Sequence, residues 1–216
     1  MQKMRVGILI SGRGSNMMAL VEAAQAADFP AEIVTVISNR PNAAGLGWAA
    51  NQGLPTAAVD HKLYKTRENF EAALQAALDA AGVEFICCAG FMRLMTPSFV
   101  QHWHGRMINI HPSLLPSFKG LDTHQQALDA GVKITGCTVH FVVPEMDSGP
   151  IIAQAAVPVA DDDTADTLAS RILSAEHKLY PHALRLIASG AARLAGTKVT
   201  GGNPVNQAAQ LFSPTR

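Results

Sequence analysis

Val6-Gly7-Ile8-Leu9-Ile10-Ser11-Gly12-Arg13-Gly14-Ser15-Asn16 runs from a short apolar stretch into a turn with two glycines, and residues 17–27 then have helix-forming composition. A strand that stops at a glycine turn and continues as a helix is the opening unit of an α/β fold. The same unit recurs downstream. Residues 33–38, rich in β-branched side chains, read as a second strand, and 43–52 as a short helix closed by Gly53. Residues 56–59 read as a third strand, 67–80 as a helix ended by Gly82, and 85–89 as a fourth strand. Pro97 starts a short helix, and 106–110 form a fifth strand. Strands alternating with helices imply right-handed crossovers and a mainly parallel sheet covered on both faces.

The rhythm changes after a loop at 111–121. A helix at 123–130 precedes two strand-like runs, 135–143 and 151–159, joined by the tight connection Pro144-Glu145-Met146-Asp147-Ser148-Gly149-Pro150. Two strands so joined form an antiparallel hairpin. Asp161-Asp162-Asp163-Thr164 would cap a long helix reaching about Ala188, and a loosely held tail is expected from Thr197. The expected fold is therefore a single-domain, mostly parallel, twisted α/β sheet of Rossmann-like type, with an antiparallel C-terminal hairpin and flanking helices.

Composition narrows the class. A chain of 216 residues suits one compact domain. Lys plus Arg and Asp plus Glu each number 17, so no overall field would hold a polyanion, and nucleic acid is not an expected partner. Cys87, Cys88 and Cys137 lack a Cys-x-x-Cys spacing and read as buried thiols of a reducing compartment. The basic start, Met1-Gln2-Lys3-Met4-Arg5, leads into an apolar run that ends at Ser11-Gly12 without a small-residue cleavage site, so it reads as a first strand rather than a signal peptide. No run approaches the roughly 18 apolar residues that span a bilayer. No membrane is expected, and the cytoplasm is the default compartment.

Three constellations carry chemistry. In Ser11-Gly12-Arg13-Gly14-Ser15-Asn16 the glycines let the backbone approach a ligand, and the free N–H groups at the helix start suit a phosphate. Met17 stands where the third glycine of a dinucleotide fingerprint would fall, and the Gly-Lys-Ser/Thr of a P-loop is missing, so a monophosphate is the better guest; a tight turn with a helix cap is the alternative. Asn109 and His111 are two apart on an otherwise apolar strand and share a face at its C-terminal end, where open α/β sheets place ligands. An amide and an imidazole aimed at one point suit carbonyl chemistry, one donating to a developing oxyanion and the other donating or exchanging a proton. Asp147 is either a turn-former or a carboxylate returning to orient His111, with His140 a fourth polar member. His102 and His104 alternate as two metal ligands could, but no third ligand has a recognisable spacing, and they read as exposed loop residues; no metal is expected.

Ser-Gly-x-Gly-Ser-Asn at 11–16, Ala-Gly-Phe-Met-Arg at 89–93, Asn-Ile-His-Pro-Ser-Leu-Leu-Pro at 109–116, Val-His-Phe-Val at 139–142 and Asp-Ser-Gly-Pro at 147–150 occur in this order. Together they resemble the glycinamide ribonucleotide formyltransferases of the folate-dependent formyltransferase superfamily, from about Arg5 to Gly190. The resemblance implies transfer of a formyl group from the co-substrate 10-formyltetrahydrofolate to the amine of glycinamide ribonucleotide, in purine biosynthesis. It implies that Asn109, His111 and Asp147 are catalytic. It puts the ribonucleotide at Gly14, Ser15, Asn16, Met17, Gly90, Pro112 and Glu176, with Glu176 on the ribose hydroxyls, although a helical glutamate is ordinarily solvated. The folate would meet Arg67, Met92, Arg93, Leu94, Met95, Val142 and Val143, besides Asn109 and Asp147. Position 13 varies in the family, so Arg13 is compatible with activity. The transferase unit would span residues 1–196, phosphate binding in its first half and folate binding and catalysis in its second, with 197–216 as a tail. Partners would be small molecules only, and a monomer or a homodimer fits equally. Methionyl-tRNA formyltransferase and formyltetrahydrofolate hydrolase share the Asn-x-His core, but the first has a further RNA-binding domain and a basic surface, and the second an N-terminal regulatory domain for which a strand starting at Met4 leaves no room. A non-catalytic nucleotide-binding module would need only the 11–16 loop.

Overall fold

The computed structural model describes residues 2–202 and residue 213. The first half runs β1 (Met4–Ile10), α1 (Ser15–Ala24), β2 (Ala31–Ser38), α2 (Ala44–Asn51), β3 (Thr56–Ala58), a 3-10 turn (His61–Leu63), α3 (Arg67–Ala80) and β4 (Phe85–Cys88). The second runs α4 (Pro97–His102), β5 (Met107–His111), α5 (Thr123–Asp129), β6 (Ile134–Phe141), β7 (Ile151–Pro158), α6 (Ala165–Ala188), β8 (Ala192–Ala195) and β9 (Lys198–Gly201). Seven strands form one sheet in the order β3-β2-β1-β4-β5-β6-β7. The pairs from β3 to β5 are parallel, and β5–β6 and β6–β7 are antiparallel. The expected sheet and its appended hairpin are both present. From β1 the chain winds outward through β2 and β3, then returns to the other side of β1 for β4 and β5. The loops after β1 and β4 therefore diverge at a topological switch point, where open sheets form a crevice.

Residue pattern explains the layers. Val6, Ile8, Ile10, Ile108 and Ile110 belong to the apolar cluster beneath α1 and α6, while Leu9, Ile86, Cys88 and Met107 belong to the cluster beneath α3 and α4. Alternation along β5 thus sends Met107, Asn109 and His111 to one face and Ile108 and Ile110 to the other. On α1 the buried residues are Met17, Leu20 and Val21, one helical stripe. Each such side chain contributes about 1.5–3 kcal/mol when fully buried. The buried stripe of α6 is Leu168, Ile172, Glu176, Leu179, Tyr180, Ala183 and Leu184, with Glu176 its one charged member.

The start of α6 is fixed by a reciprocal cap: Thr164 Oγ1 accepts from the Thr167 N–H, and Thr167 Oγ1 accepts from the Thr164 N–H. Asp163, in the expected acidic cluster, accepts from the Ala160 N–H at 2.8 Å and pairs with both Arg171 terminal nitrogens at 2.6 and 2.9 Å.

Several boundaries fall a few residues from the expected ones, and three of them shape the site or the C-terminal end. Helix α1 begins two residues early, because Gly14 adopts φ 74° and turns the chain into the helix at once. His111 closes β5 instead of opening the loop, since its pairing with Thr138 extends the ladder by one residue. The expected tail from Thr197 instead starts with β9, which pairs with β8. Gly196, at φ 61°, makes that reversal possible, a local turn hidden by the Gly-, Asn- and Gln-rich composition of the whole stretch. Residues 203–212 and 214–216, the rest of that expected tail, lie outside the described residues. His102 closes α4, and His104 sits in the turn behind it.

Candidate active site

The loop between β1 and α1 presents an uncapped helix start. No side chain caps α1. The Met18 N–H returns to the Gly14 carbonyl at 2.9 Å, so the N–H groups ahead of it are left for a ligand. A side chain at Gly14 would be strained at φ 74° and would press on Met17 Cε. The Met17 side chain is fully buried, so among the expected ribonucleotide contacts Met17 can offer only backbone.

Asn16 Nδ2 donates to Glu176 Oε2 at 2.7 Å, joining the start of α1 to the middle of α6. Glu176 is buried, and burial pushes its carboxyl pKa up, opposed by the Asn16 hydrogen bond. Asn16 Oδ1 is buried without a hydrogen-bond partner among the described residues, so two acceptors, Asn16 Oδ1 and the Glu176 carboxylate, meet where α1 joins α6. Glu176 is therefore buried, unlike an ordinary helical glutamate.

At the end of β5 the polar groups converge. His111 Nδ1 lies 3.5 Å from Asp147 Oδ2, and Nε2 lies 2.9 Å from the Phe118 carbonyl. Both ring nitrogens face oxygen acceptors, and a ring carrying N–H on each satisfies both. Asp147 Oδ2 also accepts the Gly120 N–H at 2.9 Å, and Oδ1 stands 3.9 Å from His140 Nε2. Asn109 pairs across the ladder with His140, and its Nδ2 is 3.5 Å from His140 Nε2. His140 Nδ1 donates to the Phe141 carbonyl at 2.9 Å, which leaves Nε2 as the acceptor. Burial lowers the His140 pKa and so favours that neutral ring, against the Phe141 carbonyl and the Asp147 charge. Asp147 and Phe118 both have positive φ, 49° and 55°, so the two segments gripping His111 hold backbone conformations that L-residues seldom adopt.

The remaining expected residues sit as follows. Gly90, at φ 73°, is exposed and lends its carbonyl to the Ser11 N–H at 3.1 Å; the Pro112 carbonyl accepts from Thr123 Oγ1. Met92 and Leu94 are each 64 % exposed, while Arg93 and Met95 are half-buried. Met95 and Val142 pack on the same apolar cluster, with Val143 half-buried beside them. Arg67 is exposed at the first turn of α3, one turn ahead of Glu71, and contacts none of the other expected residues through a hydrogen bond or ion pair among the described residues. The Phe118 carbonyl and Gly120 N–H escape sequence reading because they act through backbone, which carries no residue-type signal. Two surface cavities of about 430 Å³, one lined by Arg171, Lys178 and His182 and the other by Lys3, Asp28 and Arg185, include none of these groups; convergence of polar groups at the strand ends is the stronger indicator. Among the described residues no three His, Cys, Asp or Glu side chains converge as metal ligands.

Residues 4–184 match the model of the formyl transferase family. The chain belongs to this family. It is 52 % identical over 193 residues to the trifunctional purine biosynthetic protein adenosine-3 of Bos taurus, covering 89 % of this chain and 19 % of that protein. The chain therefore spans about a fifth of the length of that trifunctional relative. It is 40 % identical to the phosphoribosylglycinamide formyltransferase of Escherichia coli (strain K12), covering 87 % and 88 % of the two chains. The crystal structure of glycinamide ribonucleotide transformylase 1 from Symbiobacterium toebii superposes with a TM-score of 0.89 at 44 % identity, over 93 % of this chain and 95 % of that one. Family membership accounts for the ordered motifs from 11–16 to 147–150, and the fold agrees with its solved members.

Proposed function

We propose that the chain transfers the formyl group of 10-formyltetrahydrofolate to the primary amine of N1-(5-phospho-D-ribosyl)glycinamide, releasing tetrahydrofolate, as a step of de novo purine synthesis. The observation that carries this reading is the convergence of Asn109, His111 and Asp147 beside the switch-point crevice, within a family of formyl transferases. The name of the relative at 40 % identity supports formyl transfer to phosphoribosylglycinamide, and that of the relative at 52 % supports a place in purine biosynthesis.

The substrate amine attacks the formyl carbon, and the carbonyl oxygen becomes an oxyanion. Asn109 Nδ2, aligned by neutral His140, donates to that oxygen, and a protonated His111 stabilises its charge electrostatically while its N–H groups stay on Asp147 and the Phe118 carbonyl. The Asp147 carboxylate holds the imidazolium in place and relays the amine proton to folate N10 as the carbon–N10 bond breaks. The start of α1 at Gly14, Ser15, Asn16 and the Met17 backbone holds the phosphate, and Glu176 the ribose hydroxyls. Gly90 and Pro112 line the amine. Arg67, Met92 to Met95, Val142 and Val143 enclose the folate. The transferring unit lies within residues 1–196, its first half binding phosphate and its second binding folate and performing the chemistry. It acts in the cytoplasm on small molecules, without nucleic acid or membrane, as a monomer or a homodimer.

Absorbance of the folate product, followed with and without the ribonucleotide, tests this. Turnover that needs the ribonucleotide and disappears in Asn109→Ala and His111→Ala supports the reading. Turnover independent of the ribonucleotide would replace it with hydrolysis.

A further inference from the structure

The segment 90–96 has no regular secondary structure, yet it carries the exposed Met92 and Leu94. It is pinned at both ends. At the far end Glu71, itself buried, accepts the Thr96 N–H at 2.6 Å and the Thr96 hydroxyl. At the near end the pin is Ser11, the first residue of the anion loop. The Ser11 N–H donates to the Gly90 carbonyl at 3.1 Å, and Ser11 Oγ accepts the Met92 N–H at 2.8 Å. The same hydroxyl donates to Asn39 Oδ1 at 2.5 Å, and the Asn39 carbonyl accepts from His61 Nδ1 at 2.9 Å. Ser11 and Asn39 are 4 % and 1 % exposed, so water cannot replace these bonds. One buried hydroxyl therefore belongs to the loop before α1, accepts from the segment after β4, and leans on the end of β2. A satisfied buried chain of this kind favours a single arrangement of the parts it joins.

We propose that Ser11 is a positioning residue that couples the two ligand loops, so that a phosphate ligand at 14–16 tightens folate binding at 92–95, and folate tightens the phosphate ligand equally. The inference rests on the formyl-transfer reading for the identity of the two ligands. Ser11 touches neither ligand. A phosphate ordering residues 11–16 also orders the Ser11 hydroxyl and, through the Met92 N–H, the folate segment; the second ligand then meets a wall already set. By linkage the effect is reciprocal.

The test uses the full chain and titration calorimetry of tetrahydrofolate with and without saturating glycinamide ribonucleotide. The wild type is expected to bind folate about tenfold tighter with the ribonucleotide, a typical coupling. Ser11→Ala is expected to reduce that ratio to within about twofold and, by the same linkage, to weaken ribonucleotide binding at saturating folate by an equal factor. Ser11→Thr, which keeps the hydroxyl, should restore the ratio. Thr35→Val removes another buried hydroxyl, bonded to the Pro55 carbonyl and remote from both loops; it should lower Tm yet keep the coupling. Undiminished coupling in Ser11→Ala, or equal loss in Thr35→Val, overturns the inference. A wild type that binds both ligands without coupling overturns it alone, and one that binds neither overturns the formyl-transfer reading as well.

Discussion

Replacing Asp147 by Asn removes the carboxylate charge that faces both His111 and His140 while keeping the shape of the side chain. Asn tolerates the positive φ of 49° at this position, and its carbonyl oxygen can still accept the Gly120 N–H. What is lost is electrostatic. At the 3.5 Å separation of Asp147 Oδ2 and His111 Nδ1, two unit charges attract by about 5 kcal/mol at an effective dielectric of about 20. The Asp147 side chain is only 11 % exposed, so solvent screens little of this. Part of the attraction already exists before the oxyanion forms, and only the remainder acts on the barrier. We expect kcat to fall by about 10²–10³, the range for losing one preorganised oxyanion partner. KM for the ribonucleotide should change little, because Asn16 and Glu176 are untouched. Steady-state absorbance kinetics at saturating folate, with Tm measured in parallel, provides the assay. A kcat within threefold of wild type would refute the role given to Asp147, and a Tm collapse accompanying the loss would make that role structural.

Three further outcomes are expected. Burial raises the Glu176 pKa, so the folded chain keeps this proton to higher pH than the unfolded chain, and the residue's contribution to stability falls as pH rises from the ordinary glutamate range through the raised value. Glu176→Gln should thus gain Tm relative to wild type between pH 4 and pH 8, while its ribonucleotide KM rises about tenfold or more; a Tm difference independent of pH would contradict this. A Cβ at Gly149 would overlap the Phe141 carbonyl oxygen, so Gly149→Ala should displace the Asp147 turn, costing about 1–3 kcal/mol of stability and most of kcat, and unchanged kcat would refute the close approach. Tyr180 donates to the carbonyls of Cys88 at 2.9 Å and Ile108 at 3.2 Å, tying β4 to β5 just before Gly90 and Asn109; Tyr180→Phe should cost about 1 kcal/mol, a drop of about 2–4 °C in Tm, and an unaltered Tm would show the bond to be idle.

Local signals are the ones that sequence carries. The alternation along β5 makes a shared face for Asn109 and His111 readable, and the glycine turn after Ile10 makes the strand-loop-helix readable. The tight Pro144–Pro150 connection announces the hairpin. Distances between segments are not local. That Asp147 folds back to within 3.5 Å of His111 depends on a turn held by the Gly120 N–H, a group with no residue-type signature. Glu176 reads as solvated by residue type alone, although it falls in the apolar stripe with Ile172, Leu179 and Tyr180, and where α6 packs against α1 Asn16 meets it. The Ser11–Asn39 contact joins residues 28 apart through side chains whose types are common in any turn. The hairpin of β8 and β9 is masked by composition, since four-residue strands beside glycines resemble a tail.

If the chain is a ribonucleotide formyltransferase, the formyl carbon ends on the ribonucleotide amine. Carbon-13 NMR of a reaction with 10-[¹³C]formyltetrahydrofolate and glycinamide ribonucleotide follows that atom directly. A formamide signal on the ribonucleotide is expected, absent in His111→Ala and strongly slowed in Asp147→Asn. Label appearing as free formate, with the ribonucleotide unmodified, would contradict it.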